Sequence, residues 1–543
     1  MATKRIFSTN SITIENPSFS TLKTIVETQF YRNNVRPIKN LQEAYDMAVQ
    51  HPNTIITDLE ISHGEQLGLS KDSKVLVENG GSRVGRNAKA RRIVGTTEDQ
   101  QLLPMVLDAL NQQNDRTFYH AQAIVGLDEE FMIRAHLCIN EGEENNLYSW
   151  LLNFQILNEE YQKRYENSQQ IDENDIYVYA DSAWQHPDFP GGLAYFDPTH
   201  NVVCLLGMTY FGELKKGTLT LAWASGYRQG YVACHGGSKI FKEPTHHYVA
   251  SFFGLSGSGK STLTHAKHDD KFDIEVLHDD AFLINLEKGT SIALEPAYFD
   301  KTQDYPASHP EQKYFLTVQN VGVTLNEDQQ KVLVTQDLRN GNGRTVKSRY
   351  STPNRVDKIE EPIQAIYWIM KDDSLPPLLK INDPILASTF GLTLATKRTS
   401  AEIGVIDRNA LVIEPYANPF RVYDLNDDYL RFKALFEKGV DCFIINTGNY
   451  HDLDIDKHTT LSLIENEVHQ TNHFEPFFNH PLIDMAILEK FPVTKDQDTL
   501  DLIKGRMQTR IDFIHQHNQR YPNDQIEPEA LNALESVVKH LSL

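Results

Sequence analysis

The segment that most restricts how this chain can fold is a glycine-rich loop between an apolar run and a helical pattern. Residues 251–262 read Ser-Phe-Phe-Gly-Leu-Ser-Gly-Ser-Gly-Lys-Ser-Thr. The spacing G-x-x-x-x-G-K-[ST] is matched by Gly254, Gly259, Lys260 and Ser261. The apolar run Tyr248–Phe253 predicts a short buried strand, and we expect a helix from Ser261 onward. A strand, a glycine loop and a helix in this order indicate a P-loop, so we expect a nucleotide-binding α/β domain.

Each residue type in this loop has a physical role in binding phosphate. The glycines allow successive backbone N–H groups to point at phosphate oxygens, and the following helix presents its positive N-terminal end. Lys260 can reach the terminal phosphates, and the Ser261 hydroxyl can ligate Mg²⁺. The residues expected to contact the nucleotide are Gly254, Leu255, Ser256, Gly257, Ser258, Gly259, Lys260, Ser261 and Thr262.

A P-loop also needs a carboxylate that holds a metal ion. Asp279 and Asp280 follow the strand candidate Ile274–Leu277, and Asp280 lies twenty positions beyond Lys260. Carboxylates at the C-terminal end of a strand face the ligand crevice in open α/β sheets. These aspartates are therefore candidate metal ligands, and a solvated acidic turn is the alternative interpretation.

Composition argues against several classes of ligand. The 543 residues include 52 Lys and Arg against 74 Asp and Glu, so the formal net charge is −22. This acidic excess argues against general binding to nucleic acid or to a membrane surface, because both need basic protein surface. If the ligands are anionic, the positive charge that meets them must be concentrated locally.

The apolar and cysteine patterns predict a cytoplasmic protein. The longest apolar stretches, such as Tyr248–Leu255, are too short to span a bilayer. Residues 1–5 lead into polar sequence without an apolar core, so we expect no secretory signal. The cysteines are Cys138, Cys204, Cys234 and Cys442. Their wide spacing suggests neither a disulfide framework nor a zinc site.

The hydrophobic pattern predicts a mixed α/β protein. Helices are expected at 20–30, 41–49, 99–112, from about 145, and at 460–469, 499–518 and 528–541. Strands are expected at 201–208, 218–223, 231–234, 248–253, 274–277, 331–335, 364–370 and 442–445. We interpret the charged stretch 158–174 as a surface insertion. A nucleotide-binding part is expected to begin near residue 230.

Several short segments occur in the order and at the spacing of a known family. Phe253–Thr262 is similar to the loop G-L-S-G-T-G-K-T-T, and residues 210–217, Tyr-Phe-Gly-Glu-Leu-Lys-Lys-Gly, are similar to Y-[GF]-G-E-[IM]-K-K-G. Ala233–His235, Ser348–Pro353 and Ile445–Gly448 resemble S-M-H-C, T-R-V-S-Y-P and V-N-T-G. Over roughly residues 75–520, the chain therefore resembles the ATP-dependent phosphoenolpyruvate carboxykinase family. Several ordered motifs are much harder to obtain by chance than a P-loop alone.

This resemblance implies a fold and a reaction. The fold would be α/β, with a mixed α/β N-terminal substrate-binding domain over 1–230 and a P-loop domain that binds nucleotide and metal over 231–543. The active site would lie in the cleft between these domains. The reaction would convert oxaloacetate and ATP to phosphoenolpyruvate, CO₂ and ADP, in gluconeogenesis. The implied cofactors are ATP, Mg²⁺ and Mn²⁺, and we expect a monomer.

The resemblance also implies a role for each matching residue. Mn²⁺ would be held by Lys215, His235 and Asp280. The substrate site would include Arg86, Tyr210 and Lys216. Lys260 would grip the β- and γ-phosphates, Ser261 would hold Mg²⁺, and Arg349 would reach the transferring phosphoryl group. The implied catalytic residues are Lys215, Lys260, Arg349 and Asp280.

These residue types suit the implied chemistry. Loss of CO₂ from oxaloacetate leaves an enolate, which a divalent cation and cationic side chains stabilise. The enolate oxygen then attacks the γ-phosphate, so positioning and charge neutralisation carry most of the remaining catalysis. A lysine ligates a metal only as the neutral amine, so Lys215 must lie where the uncharged form is favoured.

Three segments depart from the family pattern. The substrate loop G-R-S-P-K-D-K is Gly-Arg-Asn-Ala-Lys-Ala-Arg at residues 85–91, and the metal segment G-D-D-E-H-G-W is His-Asp-Asp-Ala-Phe-Leu-Ile at 278–284. The adenine segment G-T-E-R-G-[IV]-T-E has its nearest counterpart at Lys397–Glu402. These changes leave two alternatives open: an ATP-dependent kinase on this fold with another acceptor, and a non-catalytic nucleotide-binding regulator.

Overall fold

The chain divides into two units. A computed structural model describes residues 3, 8–13, 16, 19–78, 91–93, 101–112, 115–255, 257–307, 309–336, 342–397, 411–492 and 496–542. The first unit comprises Met1–Gln229 and Ala293–Pro353, and the second comprises Gly230–Ile292 and Asn354–Leu543. Residues 293–353 therefore pack in the first unit, whereas the sequence prediction assigns them to the C-terminal domain.

Helices and strands are mixed along the described part of the chain. The helices are α1 Thr21–Gln29, α2 Leu41–Gln50, α3 Gly64–Leu67, α4 Leu102–Asn111, α5 Glu144–Asn153, α6 Glu159–Asn167, α7 Phe211–Arg228, α8 Lys260–His265, α9 Pro384–Leu392, α10 Leu425–Glu437, α11 Lys457–Val468, α12 Gln497–Arg520 and α13 Pro528–His540. The strands up to residue 253 are β1 Val35–Pro37, β2 Thr54–Glu60, β3 Lys74–Glu78, β4 Arg91–Ile93, β5 Phe118–Asp128, β6 Phe131–Asn140, β7 Ile176–Asp181, β8 Leu193–Asp197, β9 Val202–Leu206, β10 Tyr231–His235, β11 Gly237–Lys242 and β12 His247–Phe253. The later strands are β13 Asp273–His278, β14 Ala281–Asn285, β15 Ser291–Ala293, β16 Tyr298–Lys301, β17 Phe315–Gln319, β18 Gly322–Leu325, β19 Lys331–Val334, β20 Arg344–Lys347, β21 Lys358–Ile359, β22 Ala365–Met370, β23 Leu378–Ile381, β24 Ala395–Lys397, β25 Leu411–Ile413, β26 Asp441–Asn446, β27 Asn449–Tyr450, β28 Leu453–Asp454, β29 Phe474–Pro476 and β30 Ile483–Ala486. The mixed α/β class predicted from the sequence is confirmed.

The first unit is built on two sheets. One has the strand order β1-β5-β6-β7-β9-β8-β4, and the other has the order β16-β20-β17-β3-β2. Helices α1 and α4 bury Val26, Val106 and Leu110 in the core with residues of the first sheet, because these residues recur on one helix face. In the second sheet, β3 pairs in parallel with β17, so a strand near residue 76 needs a partner near residue 317.

Helix α7 contradicts the predicted strand at 218–223. The alternation Thr-Leu-Thr-Leu at these positions has the period of a strand, yet the segment is helical and almost wholly buried. Thr218 Oγ1 donates to the carbonyl of Leu214 at 2.9 Å and accepts from Trp150 Nε1 at 3.1 Å, so its hydroxyl is satisfied inside the core. A helix buried on all sides lacks the polar face that reveals helical period in a sequence.

Residues 158–174, predicted to be a surface insertion, are exposed at most of their charged positions and yet contribute buried side chains. The segment forms α6, in which Tyr161 and Tyr165 are buried. Asn158 caps the helix by accepting from the backbone N–H of Tyr161. The Arg134 guanidinium lies 4.9 Å from the ring centre of Tyr165. The charged side chains of α6 lie on its exposed or half-exposed side.

The second unit contains the strand that leads into the glycine loop. Its larger sheet has the order β13-β11-β12-β22-β26-β23-β30-β29, and β10-β14-β15-β21 form a smaller sheet. Strands β12, β22 and β26 are parallel neighbours, so their C-terminal ends lie at one edge of the sheet. The glycine loop follows β12 and the Asn-Thr-Gly segment follows β26, which brings these two motifs to that edge.

Among the described residues, no helix is both long enough and apolar enough to cross a membrane.

Candidate active site

The phosphate loop lies in the second unit between β12 and α8. Gly257 has φ 80° and Gly259 has φ 99°, and both values fall in the left-handed region that favours glycine. A Cβ atom at Gly254 would overlap the Ser258 side chain and approach Ile369 Cβ to 2.9 Å. The glycines that define the motif are therefore required by backbone conformation at two positions and by close packing at a third.

Ser258 joins the loop to a neighbouring strand and offers a polar atom to a ligand. Thr447 Oγ1, in the Asn-Thr-Gly segment, donates to the carbonyl of Ser258 at 2.6 Å. Ser258 is buried, and within the described part of the chain its Oγ atom has no hydrogen-bond partner. Because a buried hydroxyl without a partner costs free energy, this atom fits a phosphate oxygen. Ser261 and Thr262 are exposed at the start of α8, where they could meet a nucleotide and its metal ion.

Asp280 brings three of the predicted site residues together. Its Oδ1 atom lies 2.9 Å from His235 Nε2 and 3.6 Å from Lys260 Nζ. The sheet register explains the first contact, because β10 pairs antiparallel with β14 and His235 lies opposite Ala281. Lys260 reaches the same carboxylate from the first turn of α8. The predicted metal-ligand pair thus lies beside the lysine of the phosphate loop.

The hydrogen bonding of His235 favours a cation at this position. Its Nδ1 atom contacts the carbonyl oxygen of Ala417, so Nδ1 carries the proton. Nε2 of the neutral ring is then an acceptor, yet it faces a carboxylate oxygen of Asp280. Two acceptors this close need a proton or a metal ion between them. Tyr416 and Ala417 adopt φ values of 52° and 53°, a strained turn that presents the carbonyl to His235.

His278 holds the turn that carries the two aspartates. Its buried Nδ1 atom accepts from the backbone N–H of Asp280 at 3.0 Å and of Ala281 at 3.3 Å. Asp279 Oδ2 lies 3.4 Å from Nε2 of His265, at the end of α8. Burial alone would raise the pKa of Asp279, but His265 and nearby cationic groups hold it well below its usual value.

In the first unit, Lys215 is buried against a carboxylate. Lys215 Nζ lies 2.9 Å from Glu295 Oε1, and both side chains are almost fully buried. Glu295 Oε2 also accepts from Asn153 Nδ2 at 2.6 Å. The Phe299 ring centre lies 5.7 Å from the ammonium. The apolar wall disfavours the charged form of Lys215, whereas the Glu295 carboxylate favours it and is also an acceptor for its proton.

The predicted substrate residues Tyr210 and Lys216 flank Lys215 on the chain. Tyr210 precedes α7 and is buried beside Phe299, with 6.2 Å between ring centres. Burial raises the pKa of Tyr210, and the nearby Arg344 guanidinium opposes that shift. Lys216 is half-buried, with Nζ 5.6 Å from the ring centre of Trp223.

Arg349 follows β20 in a short helical turn of the first unit. Its NH1 group donates to the Tyr161 hydroxyl of α6 at 3.1 Å. Two residues earlier, Lys347 Nζ lies 2.9 Å from Asp300 Oδ2 and 3.0 Å from Glu311 Oε2. Burial would lower the pKa of Lys347, but these carboxylates raise it above its usual value. The base of the Arg349 turn is therefore anchored by a buried, paired cation.

Some predicted residues lie outside the described part of the chain. These are Arg86 with the rest of loop 85–90, Ser256, and residues 398–402 of the adenine-segment counterpart. Their roles stay predictions from the resemblance.

Sequence reasoning missed four residues of this arrangement, namely His278, Glu295, Ala417 and Thr447. Glu295 had a usable signal, because a lone carboxylate in the apolar run Ile292–Ala297 indicates a buried partner. Thr447 belongs to a quoted motif, although no role was assigned to it. His278 stands where the family segment has glycine, and Ala417 contributes only its backbone carbonyl.

The donor set fits a divalent cation. The acceptor pair of His235 and Asp280 gives one nitrogen and one oxygen ligand, a combination that suits Mn²⁺. Among the described residues, His, Cys, Asp and Glu side chains form no group of three that could hold a metal ion. A lysine, water or oxygen atoms of the bound molecules could supply further ligands.

Comparison with known proteins identifies a family that the chain matches. Residues 40–492 match the profile of the phosphoenolpyruvate carboxykinase family, in its ATP form. The phosphoenolpyruvate carboxykinase (ATP) of Aeropyrum pernix is 25% identical over 284 residues, covering 49% of this chain and 57% of that protein. The glycosomal enzyme of Trypanosoma brucei brucei is 33% identical over 24% of this chain and 29% of its own length. The enzyme of Dictyostelium discoideum is 23% identical over 72% of this chain and 71% of its own length.

The chain belongs to the ATP-dependent phosphoenolpyruvate carboxykinase family, because the family profile covers most of its length. The alignment with the Aeropyrum relative spans only a little over half of that protein, at 57%.

Proposed function

We propose that this chain is an ATP-dependent phosphoenolpyruvate carboxykinase, which converts oxaloacetate and ATP to phosphoenolpyruvate, CO₂ and ADP in gluconeogenesis. The observation that carries the proposal is the position of Asp280, whose Oδ1 atom contacts both His235 and Lys260. A P-loop that only binds nucleotide has no need of a histidine whose Nε2 atom faces a carboxylate beside the loop lysine. The family membership supplies the reaction that uses such a pair.

In the second unit, the proposal assigns phosphate binding to the glycine loop and Lys260. His235 and Asp280 would hold Mn²⁺, and Ser261 would hold the Mg²⁺ of the nucleotide. When bound, these cations would supply positive charge beside the enolate and the phosphates. The unpartnered Ser258 hydroxyl and the backbone of the loop would bind phosphate oxygens.

In the first unit, Lys215 is the proposed third Mn²⁺ ligand. Its ammonium must lose a proton to ligate a metal, and Glu295, at 2.9 Å, is an acceptor within reach. Tyr210, Lys216 and Arg86 would bind the substrate. Arg349, held by the Tyr161 hydroxyl, would neutralise charge on the transferring phosphoryl group.

The proposed reaction has two bond-breaking events. The bond from C3 of oxaloacetate to its C4 carboxylate breaks, CO₂ leaves, and the electron pair forms the enolate. The enolate oxygen then attacks the γ-phosphorus, and ADP leaves with the electron pair of the broken P–O bond. Both events move negative charge toward cationic side chains, so the protein contributes mainly position and electrostatic stabilisation.

The reaction needs residues from both units, so the predicted P-loop fold with its active site in a cleft between two domains is part of the proposal. The division of roles, with substrate binding over 1–230 and nucleotide and metal binding over 231–543, is likewise proposed. We further propose a cytoplasmic monomer.

The test is an assay of phosphoenolpyruvate formation from oxaloacetate, ATP, Mn²⁺ and Mg²⁺. We expect turnover by the purified protein and by Lys267→Ala, which removes an exposed lysine just after α8. We expect no turnover by Lys260→Ala. Product formation no higher than in Lys260→Ala would refute the proposal. In that event, ATP consumption would support a kinase with another acceptor, and nucleotide binding without turnover would support a regulator.

A further inference from the structure

A fully buried lysine lies behind the helix of the phosphate loop. Lys239 is in β11, and its side chain has no solvent exposure. The ring centres of Phe241 and Phe252 lie 4.7 and 5.7 Å from its ammonium. A charge in such surroundings is costly unless its hydrogen bonds are satisfied. Lys239 is not one of the residues proposed to bind nucleotide, metal or substrate.

Lys239 Nζ contacts three acceptors at the C-terminal end of α8. It donates to the carbonyl of Leu263 at 2.7 Å and to the carbonyl of Ala266 at 3.3 Å, and it lies 2.9 Å from His268 Nε2. Carbonyls at the end of a helix have no partner inside the helix, and they carry partial negative charge. Lys239 therefore closes the end of the helix whose first turn carries Lys260.

His268 connects this lysine to a carboxylate. Its Nδ1 atom lies 3.0 Å from Glu465 Oε1 on α11, and Glu465 Oε2 lies 2.8 Å from Lys271 Nζ. His268 also begins a run of three left-handed residues, with φ of 53°, 54° and 55° at His268, Asp269 and Asp270. Three successive strained residues persist only where their surroundings hold them.

The hydrogen bonds determine how many protons the cluster contains. The amine donates to both carbonyls, and His268 donates from Nδ1 to Glu465. The contact between Nζ and Nε2 then needs one further proton, which either nitrogen can carry. Lys239 and His268 therefore share a single positive charge that Glu465 balances, and they titrate as a pair.

The strand that carries Lys239 also sets the position of α8. Gly237 and Lys239 lie two residues apart on β11, so they face the same side of the sheet. A Cβ atom at Gly237 would overlap Thr264 Oγ1, so the helix lies directly on the strand backbone there. Because α8 has only six residues, a shift at its C-terminal end also moves Lys260 at its start.

We propose that Lys239, His268 and Glu465 form a buried relay that fixes the C-terminal end of α8, and that the affinity for nucleotide phosphates depends on the proton in this relay. Lys239 is thus a positioning residue, which acts through α8 on Lys260. The inference rests on the nucleotide site of the proposed function and adds a regulation by pH to it.

The first test compares Lys239→Met with Lys242→Met. Lys242 is on the same strand and pairs with Glu275 at 2.6 Å, and it is not one of the residues proposed to bind a ligand. We expect Lys239→Met to raise the Kd for MgATP about tenfold at pH 7, because the bonds from a charged donor are lost. Lys242→Met should bind within about twofold of wild type. Equal MgATP affinity in Lys239→Met and wild type would overturn the inference.

The second test is a pH profile of MgATP binding. Burial lowers the pKa of Lys239 well below its usual value, whereas the Glu465 carboxylate raises it. Burial and Lys239 together lower the pKa of His268 to about 4. Lys271, on the far side of Glu465, and Asp269, 3.7 Å from Lys271, are further charged groups near the cluster. As pH rises, the relay loses its proton and MgATP affinity should fall.

Glu465→Gln keeps the shape of the relay and removes its negative charge, so it remains informative if Lys239→Met fails to fold. We expect the pH at which Glu465→Gln loses affinity for MgATP to be about one unit lower than in wild type. An unchanged profile would contradict the inference. MgATP binding through Lys260 without oxaloacetate turnover would contradict the proposed function alone. If wild type binds no MgATP, both the relay's role and the nucleotide site are wrong.

Discussion

Buried and half-buried charges of the described residues face specific partners on other elements of the fold. Lys215 meets Glu295 in the first unit, and Asp280 meets His235 and Lys260 in the second. Removing one partner of a buried pair leaves the other charge without compensation, which typically costs about 3–5 kcal/mol. Substitutions at these positions therefore need a measure of stability beside each measure of activity.

Asp280→Asn is the most direct test of whether Asp280 is a metal ligand. The amide keeps the shape of the side chain but removes the charge that faces His235 and Lys260. We expect Mn²⁺-dependent turnover to fall by about a hundredfold or more, because one ligand and its charge are lost. Mn²⁺ binding, followed by electron paramagnetic resonance, should weaken in parallel, whereas Asp273→Asn, at an exposed aspartate of the same unit, should resemble wild type. A near-normal rate would remove Asp280 from the metal site.

We expect His120 to make the folded protein less stable in acid. Its Nε2 atom lies 3.0 Å from His136 Nδ1, and burial lowers the pKa of His120 to about 4, below the usual 6.5. Between these pH values the unfolded chain binds more protons than the folded one, so stability falls as pH falls from 6.5 to 4. The slope from one such group is at most about 1.4 kcal/mol per pH unit.

The measurement is urea unfolding at several pH values across this window, on wild type and His120→Gln. Glutamine can donate to His136 but does not titrate, so we expect a shallower decline in its free energy of unfolding. Identical slopes in the two proteins would mean that His120 does not contribute to the acid sensitivity.

At the scale of elements, packing between a strand and a short helix governs the phosphate loop. Strand β11 meets α8 where Gly237 faces Thr264, and the Thr264 hydroxyl donates to the carbonyl of Lys260 at 2.9 Å. The contact leaves no space for an added methyl group at Gly237. This makes Gly237 a position where a small change at a distance from the ligand should affect nucleotide binding.

Gly237→Ala should therefore lower both the stability of the protein and its affinity for MgATP. We expect a loss of about 1–3 kcal/mol in the free energy of unfolding, as for other overpacked cores, and a higher Kd for MgATP. The double variant Gly237→Ala with Thr264→Ala removes the overlapping hydroxyl and should recover part of both. Urea unfolding and calorimetric titration measure these quantities, and an absence of recovery in the double variant would contradict the steric explanation.

Elements with local sequence signals could be predicted, and those defined by burial could not. The strand, glycine loop and helix around Lys260 lie where the motif predicts, because turn chemistry and hydrophobic pattern agree there. Residues 218–223 were assigned to a strand because a fully buried helix shows no polar face. Glu295 and His278 were missed because their partners lie on other strands and helices. Contacts between residues distant in the sequence produce no pattern in the local sequence.

At the scale of the whole molecule, the first unit is discontinuous in sequence. Strands β2 and β3 come before residue 230, and β16, β17 and β20 come from residues 293–353. All five form one sheet in which β3 pairs with both β2 and β17. The unit therefore needs two separated stretches of chain.

A fragment of residues 1–230 should expose the middle of this sheet. Val75, Leu76 and Val77 are fully buried in the whole protein, and the fragment lacks the strands that cover β3 on one side. We expect it to bind a hydrophobic dye and to aggregate, because an open apolar strand edge recruits other chains. A fragment that joins 1–229 to 293–353 through a flexible linker should stay soluble and bind less dye. Equal dye binding and equal solubility of the two fragments would contradict the claim that residues 293–353 complete the sheet.

The parallel pairing of β3 with β17 also has a consequence for synthesis. On the ribosome, β3 leaves the exit tunnel long before its partner, since Leu76 and Thr317 are 241 positions apart. Long-range parallel pairs form slowly, and the waiting strand is open to wrong partners meanwhile. While the nascent chain already holds the whole glycine loop, its earliest sheet is still unfinished. Protection of that early strand by a chaperone, or by slow release of the chain, would therefore determine the yield of native protein.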